Sequence, residues 1–550
     1  MGNRSQWLWP LVAWTVFAAC ALWLTDVGRV GAGISLDTDS AMRLAQVRDL
    51  LQGQGWFDTV QHRMNTPYGL PMHWSRLVDA PLALLMLVSE RFAFVAWPLL
   101  LLAVALFLLG RIARGLGGDA AMVAVLALAL LCTEIYGPFV PGNIDHHGLQ
   151  LVLMLTALLG VMERRPHLAA AAVALGLGVG LESLPYALAA IAFFVADAFL
   201  VADKDGPRSF GLTLAGAALL LLLATTADPY RFTPVCDTYS LFYAVLLIAG
   251  GMGLAGISLL PRHRLAATAA LGLGLLALAA ALNPVCFAGP YAGLDAWMQT
   301  IFLAGVNEAR PVWSFFRLAP SEVVGGYLYA AFALALSFFA TPGRGRLVVI
   351  VFSAVALLVA TFQFRGVNFA LLFALPGLAA GMVRLTQRRS IVWLAAAILL
   401  GSGAAFTLAG ALAEGQDKVV RRAMAFRAQK ECGHETAMAV LRALPPGRVA
   451  GFVDQGPAIL AYTKDSAIAG PYHRDAAGIL DSYVIFFGQN PRTILRQRGI
   501  DYLMVCRAVP EWAFYRARGG LIAQLAAGHV PDWLVPAGKS GDVEVYRITR

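Results

Sequence analysis

The sequence predicts a polytopic α-helical membrane protein of about 13 transmembrane helices that carries a C-terminal soluble α/β domain. Three observations predict it. Hydrophobic residues make up 59% of the chain and charged ones 14%, with a mean hydropathy of +0.68; a water-soluble globule of that composition would expose far too much apolar surface. The apolar residues come in blocks such as 7–25, 92–110, 240–258 and 390–412, each long enough to cross a hydrocarbon core of about 30 Å as a helix. Beyond residue 413 the character changes, with frequent charges and apolar runs of strand length. No dyad alternation of a membrane barrel is present, so helices must satisfy the backbone within the bilayer.

The formal charge of +9 does not mark a nucleic-acid binder. The basic residues are not interleaved with aromatics. Arg111/Arg114, Arg164/Arg165, Lys204/Arg208, Arg262/Arg264, Arg344/Arg346 and Arg384/Arg388/Arg389 punctuate the apolar blocks in short connections. That is the positive-inside pattern, and it orients the chain as a multi-pass protein of a bacterial inner membrane, N-terminus cytoplasmic and C-terminal domain periplasmic. The block after Arg4 has no convincing small-residue cleavage site behind it and reads as a retained signal anchor.

In order, the spans fall near 8–27, 80–110, 119–137, 147–162, 168–182, 184–201, 208–226, 240–259, 264–284, 323–341, 346–363, 366–383 and 391–412. The stretch 80–110 contains Glu90-Arg91, which predicts a kink, and Glu182-Ser183-Leu184-Pro185 is either an outer turn or a break in a longer helix. Residues 1–413 are thus expected to form the transmembrane domain, with external loops at 28–79, 138–147 and 285–322 and a stretch at 227–239. Loops longer than about 15 residues are uncommon unless functional.

Residues 414–550 are expected to form the soluble domain, with strands at 448–453, 501–506 and 542–548 and helical patterns at 435–444, 491–498 and 519–527. Cys236 and Cys286 fall on external connections, and Cys432 and Cys506 in the external domain. Either pair can be a disulfide in an oxidising compartment, and free buried thiols are the equal alternative.

The unusual chemistry gathers on the outer side. The first loop opens with Asp37-Thr-Asp39, where a carboxylate is either a helix cap or a ligand. The second reads Gly142-Asn-Ile-Asp145-His146-His147-Gly148; Asp145 and His147 offer the oxygen and nitrogen donors that suit Mn²⁺, or Mg²⁺ less comfortably. The long loop carries Glu308, and Arg365 stands in a tight outer turn against the positive-inside trend. An arginine there either snorkels or clamps a phosphate with its bidentate fork.

In order and spacing these motifs resemble the catalytic subunit of oligosaccharyltransferase, within the GT-C glycosyltransferases, over nearly the whole chain. Asp39 and Arg48 stand where that family has its opening aspartate and arginine, followed by a Tyr-Pro-Leu-Gly-like stretch, Pro67-Tyr68-Gly69-Leu70. Asp145 and His147 match its second acidic motif, Glu308 the glutamate of its fifth external loop, and Arg365 an arginine that contacts the donor diphosphate. The resemblance implies a metal-dependent inverting glycosyltransferase that moves a glycan from a polyprenyl-(di)phosphate donor to an acceptor at the outer membrane face. Asp39, Asp145, His147 and Glu308 would hold Mn²⁺ or Mg²⁺, Asp39 and Glu308 would be catalytic, and Arg365 would bind the donor phosphate. One departure is plain: the family's Trp-Trp-Asp-Tyr-Gly acceptor motif is reduced to Phe452-Val453-Asp454-Gln455-Gly456. Asp454 and Gln455 remain as acceptor-binding candidates, but the acceptor, be it protein, glycan or lipid, need not be an asparagine sequon. The alternative within the class moves a single sugar from polyprenyl phosphate to lipopolysaccharide, polysaccharide or lipid. A transporter would bury charges at the bilayer midplane, and the spans here are nearly free of carboxylates, Glu182 being the nearest case.

Overall fold

The computed structural model describes residues 5–25, 34, 36–200, 205–386 and 391–549. The expected start of the first external loop (28–33) and the basic residues Arg4, Lys204, Arg388 and Arg389 lie outside the described residues.

Among the described residues, eight helices are long and apolar enough to cross a membrane, or nine if the pair Ala395–Gly401 and Ala404–Glu414, bent by 59°, is one span. The expected figure of about 13 is not reached by this measure, and four segments account for the difference. The one at 119–137 is a helix of its own up to Leu131, set off from the preceding helix by the non-helical Gly117-Gly118, and the run Glu90–Leu131 counts once by length. Gly118 has φ 74°, a conformation that costs a residue with a Cβ about 1 kcal/mol or more. The helices His147–Met162 and Pro166–Val179 have 16 and 14 residues, short of the roughly 20 needed to span. The segment at 323–341 is a π-helical stretch, Val323–Leu328, followed by a short helix, Tyr329–Ser337. The kink expected within 80–110 is a full break instead. Arg76–Met86 ends before Glu90, and Ser89 caps the next helix by accepting from the Phe92 N–H. At Glu182-Ser183 a 3₁₀ turn, Leu181–Ser183, separates Pro166–Val179 from Leu184–Leu200.

Gly366–Thr386 is the axis of the bundle, with 89% of its apolar window buried, whereas Arg264–Leu282 lies outermost with 6% buried. A helix apolar all round suits the first position by burial and the second by lipid contact.

The C-terminal segment builds a five-stranded mixed sheet in the order β4-β3-β5-β7-β6, with β3 Arg448–Ala450, β4 Ser466–Ala467, β5 Tyr502–Cys506, β6 Leu534–Ser540 and β7 Val543–Ile548. β4, β3 and β5 run parallel, and β7 and β6 are antiparallel to their neighbours. The remaining two strands, β1 Val60–Gln61 and β2 Leu70–Pro71, make a small hairpin in the first loop. This hairpin docks on the sheet domain: Arg498 donates to Asn65 Oδ1 at 2.7 Å and to the Thr66 carbonyl at 3.0 Å, while Arg63 reaches the Leu460 carbonyl at 3.0 Å. The core beneath the sheet is shared with the outer loops, taking Met42, Met64, Met72 and Trp74 from the first and Met298 and Phe302 from the long one. Both cysteine pairs are disulfides, Cys236–Cys286 and Cys432–Cys506.

Candidate active site

The first loop becomes a site because its helix, Thr38–Leu51, starts at the second loop. The N-cap is Asp37, which accepts from the Ser40 N–H at 2.7 Å. That leaves Asp39 free of capping. Ser40 Oγ then accepts the Ile144 N–H at 3.1 Å, which locks residues 142–148 against the helix N-terminus. Behind the junction lies a buried cluster in which Arg43 and Arg76 share Asp79 at 2.7 and 2.9 Å, and Arg43 stacks 4.3 Å from the Trp74 ring. Breaking such a dry pair costs about 3–5 kcal/mol, so the junction is rigid.

Asp145, His146 and His147 place one potential ligand atom each within 4.8 Å of one another, the one such group among the described residues. Asp145 Oδ1 bonds His146 Nδ1, and Asp145 Oδ2 lies 3.3 Å from His147 Nε2. Burial would raise the Asp145 carboxyl, but the two imidazoles outweigh it and hold it below the usual carboxylate range. A carboxylate oxygen with imidazole nitrogens is a donor set that fits Mn²⁺ or Zn²⁺, and fits Mg²⁺ less well.

Glu182 and Arg365 complete the centre. Arg365 Nη1 meets Glu182 Oε1 at 2.5 Å, and Glu182 Oε2 accepts from Gln150 at 2.7 Å and lies 3.5 Å from His146 Nε2. Gly180 makes room: a Cβ there would sit 2.3 Å from Gln150 Nε2. Arg365 Nε is buried without a partner. The long loop is held to the same turn by backbone bonds, Phe364 N–H to Arg310 O at 2.9 Å and Arg365 N–H to Glu308 O at 3.1 Å. Asp39 and Glu308 line one cleft with His146, His147 and Arg365, yet both carboxylates fall outside the tight Asp145–His146–His147 group. Asp39 is half-buried; loss of hydration, then Asp145 and Asp37, pushes its carboxyl up to about 8.

The cleft opens on two sides. A cavity of about 480 Å³ runs past Leu177, Leu181, Tyr186 and Phe362, and one of about 290 Å³ passes His147, Glu308 and Glu134. Glu182 and Arg365 border both.

Of the residues singled out from the sequence, Asp39, His147, Glu308 and Arg365 line one cleft, and Asp145 sits beside it, bonded to His146. Sequence reasoning missed the assignment of His146, which stood inside the quoted motif, and of Glu182, the lone carboxylate among apolar blocks, whose need for a cation was the available signal. His73, Tyr291 and His473 also line the cleft, and no short motif announces them. Asp454 and Gln455 border neither the cleft nor these two cavities; the C-terminal segment reaches the cleft through Pro471, Tyr472 and His473. Arg48 turns away, paired with Glu90 at 2.6 Å.

Neither a family model nor a curated protein sequence matches the chain. Solved structures do. The chain is similar to the archaeal oligosaccharyltransferase AglB from Archaeoglobus fulgidus in complex with an inhibitory peptide and a dolichol-phosphate, with TM-score 0.61 and 14% identity over 93% of this chain and 71% of that one. It is also similar to the Archaeoglobus fulgidus oligosaccharyltransferase in complex with Zn and sulfate (TM-score 0.58, 15% identity, 97% and 72% covered). A third match is the same enzyme tethered to an acceptor peptide containing the NVT sequon (TM-score 0.60, 14% identity, 98% and 74% covered). The chain therefore shares the fold of these oligosaccharyltransferase structures.

Proposed function

We propose that a chain with this fold and this cleft is a metal-dependent glycosyltransferase that takes its sugar from a polyprenyl-linked donor at the outer face of the membrane. The observation that carries the reading is the convergence of Asp145, His146 and His147 with the Glu182–Arg365 pair between two cavities. The apolar cavity beside Leu177 and Phe362 would take the start of the lipid chain, and the opposite one, beside Glu308, the acceptor.

Asp145, His146 and His147 would hold a divalent cation, which when bound supplies Lewis-acid stabilisation of a departing phosphate. Arg365 would share that charge, its unpaired Nε offering a second donor to a phosphate oxygen. Asp39, on the cleft wall with His146 and His147, is placed to take the acceptor's proton. Glu308, on the loop pinned to Arg365, would orient the acceptor, and the loop 285–322 would exclude water that could hydrolyse the donor. Attack from the acceptor side, opposite the leaving phosphate, would invert the anomeric centre.

About 13 membrane crossings, a bacterial inner membrane and a periplasmic C-terminal domain belong to the same reading; two disulfides on the cleft side support it. The position of Asp454 and Gln455 away from the cleft favours the alternative acceptors, a glycan or lipid in place of a sequon.

Donor turnover by purified protein in detergent tests the proposal. Supplied with a mixed polyprenyl-linked sugar extract, the protein should release lipid phosphate with Mn²⁺ and stop with EDTA. Transport of the lipid-linked sugar across vesicles without its consumption would overturn the reading.

A further inference from the structure

The helix Val312–Leu318, inside the long external loop, has two unlike faces. Val312, Phe315 and Ala319, at i, i+3 and i+7, are buried against Val323, Tyr327 and Phe364. Phe315 stacks on Phe364 with ring centroids 4.3 Å apart, and it also lines the cavity of about 290 Å³ beside Glu308. Trp313, Phe316 and Arg317 take the opposite side, at i, i+3 and i+4. Trp313 and Phe316 are 55% and 60% exposed, and Leu318 beside them is 53% exposed. Three large apolar side chains left open on so short a helix make a patch, whereas single exposed ones would need no explanation.

What covers the patch follows from its neighbours. The helix packs against Arg344–Phe362, which is long and apolar enough to cross a membrane. Trp313 stands edge-on to Phe362, the last residue of that span, with ring centroids 6.0 Å apart. Phe362 and Leu358, one turn before it, are themselves exposed, as side chains on the lipid side of a span are. The patch therefore continues the lipid-facing surface past the end of the span. Arg317 fixes the depth. It is exposed and forms no hydrogen bond or ion pair among the described residues. An unpaired guanidinium is costly in hydrocarbon but matches a phosphate in the headgroup layer, the level at which tryptophan also concentrates.

We infer that Val312–Leu318 is a membrane-surface anchor whose partner is the phospholipid layer, with Trp313, Phe316 and Leu318 among the lipids and Arg317 on a headgroup phosphate. The same stretch of chain is tied to the cleft, because the Phe364 N–H donates to Arg310 O at 2.9 Å and the Arg365 N–H to Glu308 O at 3.1 Å. The helix is thus the wall between lipid and the cavity beside Glu308, and the bilayer holds this half of the long loop in place. The inference concerns the surface alone and does not need the glycosyltransferase reading.

The test is quenching of Trp313 by brominated lipid, with the full chain reconstituted in vesicles that contain phosphatidylglycerol. The chain has 12 tryptophans, so the emission of Trp313 is taken as the difference between the native chain and Trp313→Phe. Bromine placed on the acyl chains near the headgroup should quench that difference at least about twofold, and bromine near the terminal methyl should quench it less. Arg317→Glu sets a like charge against the phosphates and should reduce the shallow quenching by about half. Thermal stability of both variants should stay native, because both side chains are exposed. Emission indifferent to bromine at either depth would overturn the inference; sensitivity to aqueous iodide would then put the face in water, and insensitivity would put it under a second protein copy. Stronger quenching by the deep bromine would overturn the headgroup placement, and unchanged quenching in Arg317→Glu would overturn the phosphate contact.

Discussion

The loop 142–148 and the turn 452–456 carry the same kinds of side chain and end in opposite states. In the loop, Asp145 bonds His146, and further groups arrive from separate elements, so that His146, His147, Glu182 and Arg365 face a cleft. In the turn, the polar groups face the sheet domain instead, and Gln455 Nε2 is buried without a partner. Gln455, 3% exposed, accepts the Phe452 N–H at 3.2 Å, and Asp454 accepts from Gln429 at 3.0 Å while its own N–H points to Glu511. A motif residue can act on a ligand only when its hydrogen-bonding capacity faces a cleft that a ligand can enter. What decides this is the company brought by the fold.

The sharpest way to break the comparison is to exchange alanines across it. Asp145→Ala should lower sugar transfer by roughly 10³-fold, the scale on which catalytic electrostatic groups act, whereas Asp454→Ala should change it by less than about threefold. Steady-state donor turnover on both variants decides it, and equal losses would erase the distinction. A smaller effect probes the cleft's own pairing. Glu182→Gln frees Arg365 from its carboxylate, and polyprenyl phosphate should then bind about tenfold tighter, the value of one charge-assisted hydrogen bond no longer spent internally. Titration calorimetry reads this directly, and weaker binding would mean that Glu182 organises Arg365 for the ligand.

The smallest effect lies on the other side of the comparison. Burial pushes the Asp454 carboxyl up to about 6, and burial together with Asp454 drives Glu511 well above its ordinary value. The folded state thus keeps protons that the unfolded chain releases near pH 4, so stability falls as pH rises from about 4 through about 6. The sheet domain should be about 1–2 kcal/mol more stable at pH 5 than at pH 7, and Glu511→Gln should flatten that slope. Hydrogen exchange of the β5 amides at the two pH values would show it. A rise in stability toward pH 7 would contradict the burial of this pair.

Helices were legible wherever apolar length was the whole signal, as at 205–224, 241–259 and 264–282, because nothing else stabilises such runs in lipid. Breaks were harder. The division at Gly117-Gly118 was read from hydropathy, but 323–328 adopts a wider turn that composition does not encode. In the sheet domain β5 and β7 were readable as apolar strands, but β6 contains Pro536 and Gly538 and exposes most of its length, so its pattern is that of a loop. At the site, local motifs revealed Asp145 and His147 but not their partners. Glu182, His73 and His473 lie far apart in the chain, and only the packing of separate elements brings them to one cleft.

The apolar core beneath the sheet is assembled from three remote stretches, and Met42, Met64, Met72 and Trp74 of the first loop are sealed by residues synthesised some four hundred positions later. A chain interrupted before β3 would display those side chains to water at the membrane surface. Such a product is a target for proteolysis and not a weakened form of the folded protein. Completeness of synthesis is therefore written into the first loop itself: its exposed apolar surface disappears only when the last strands close over it.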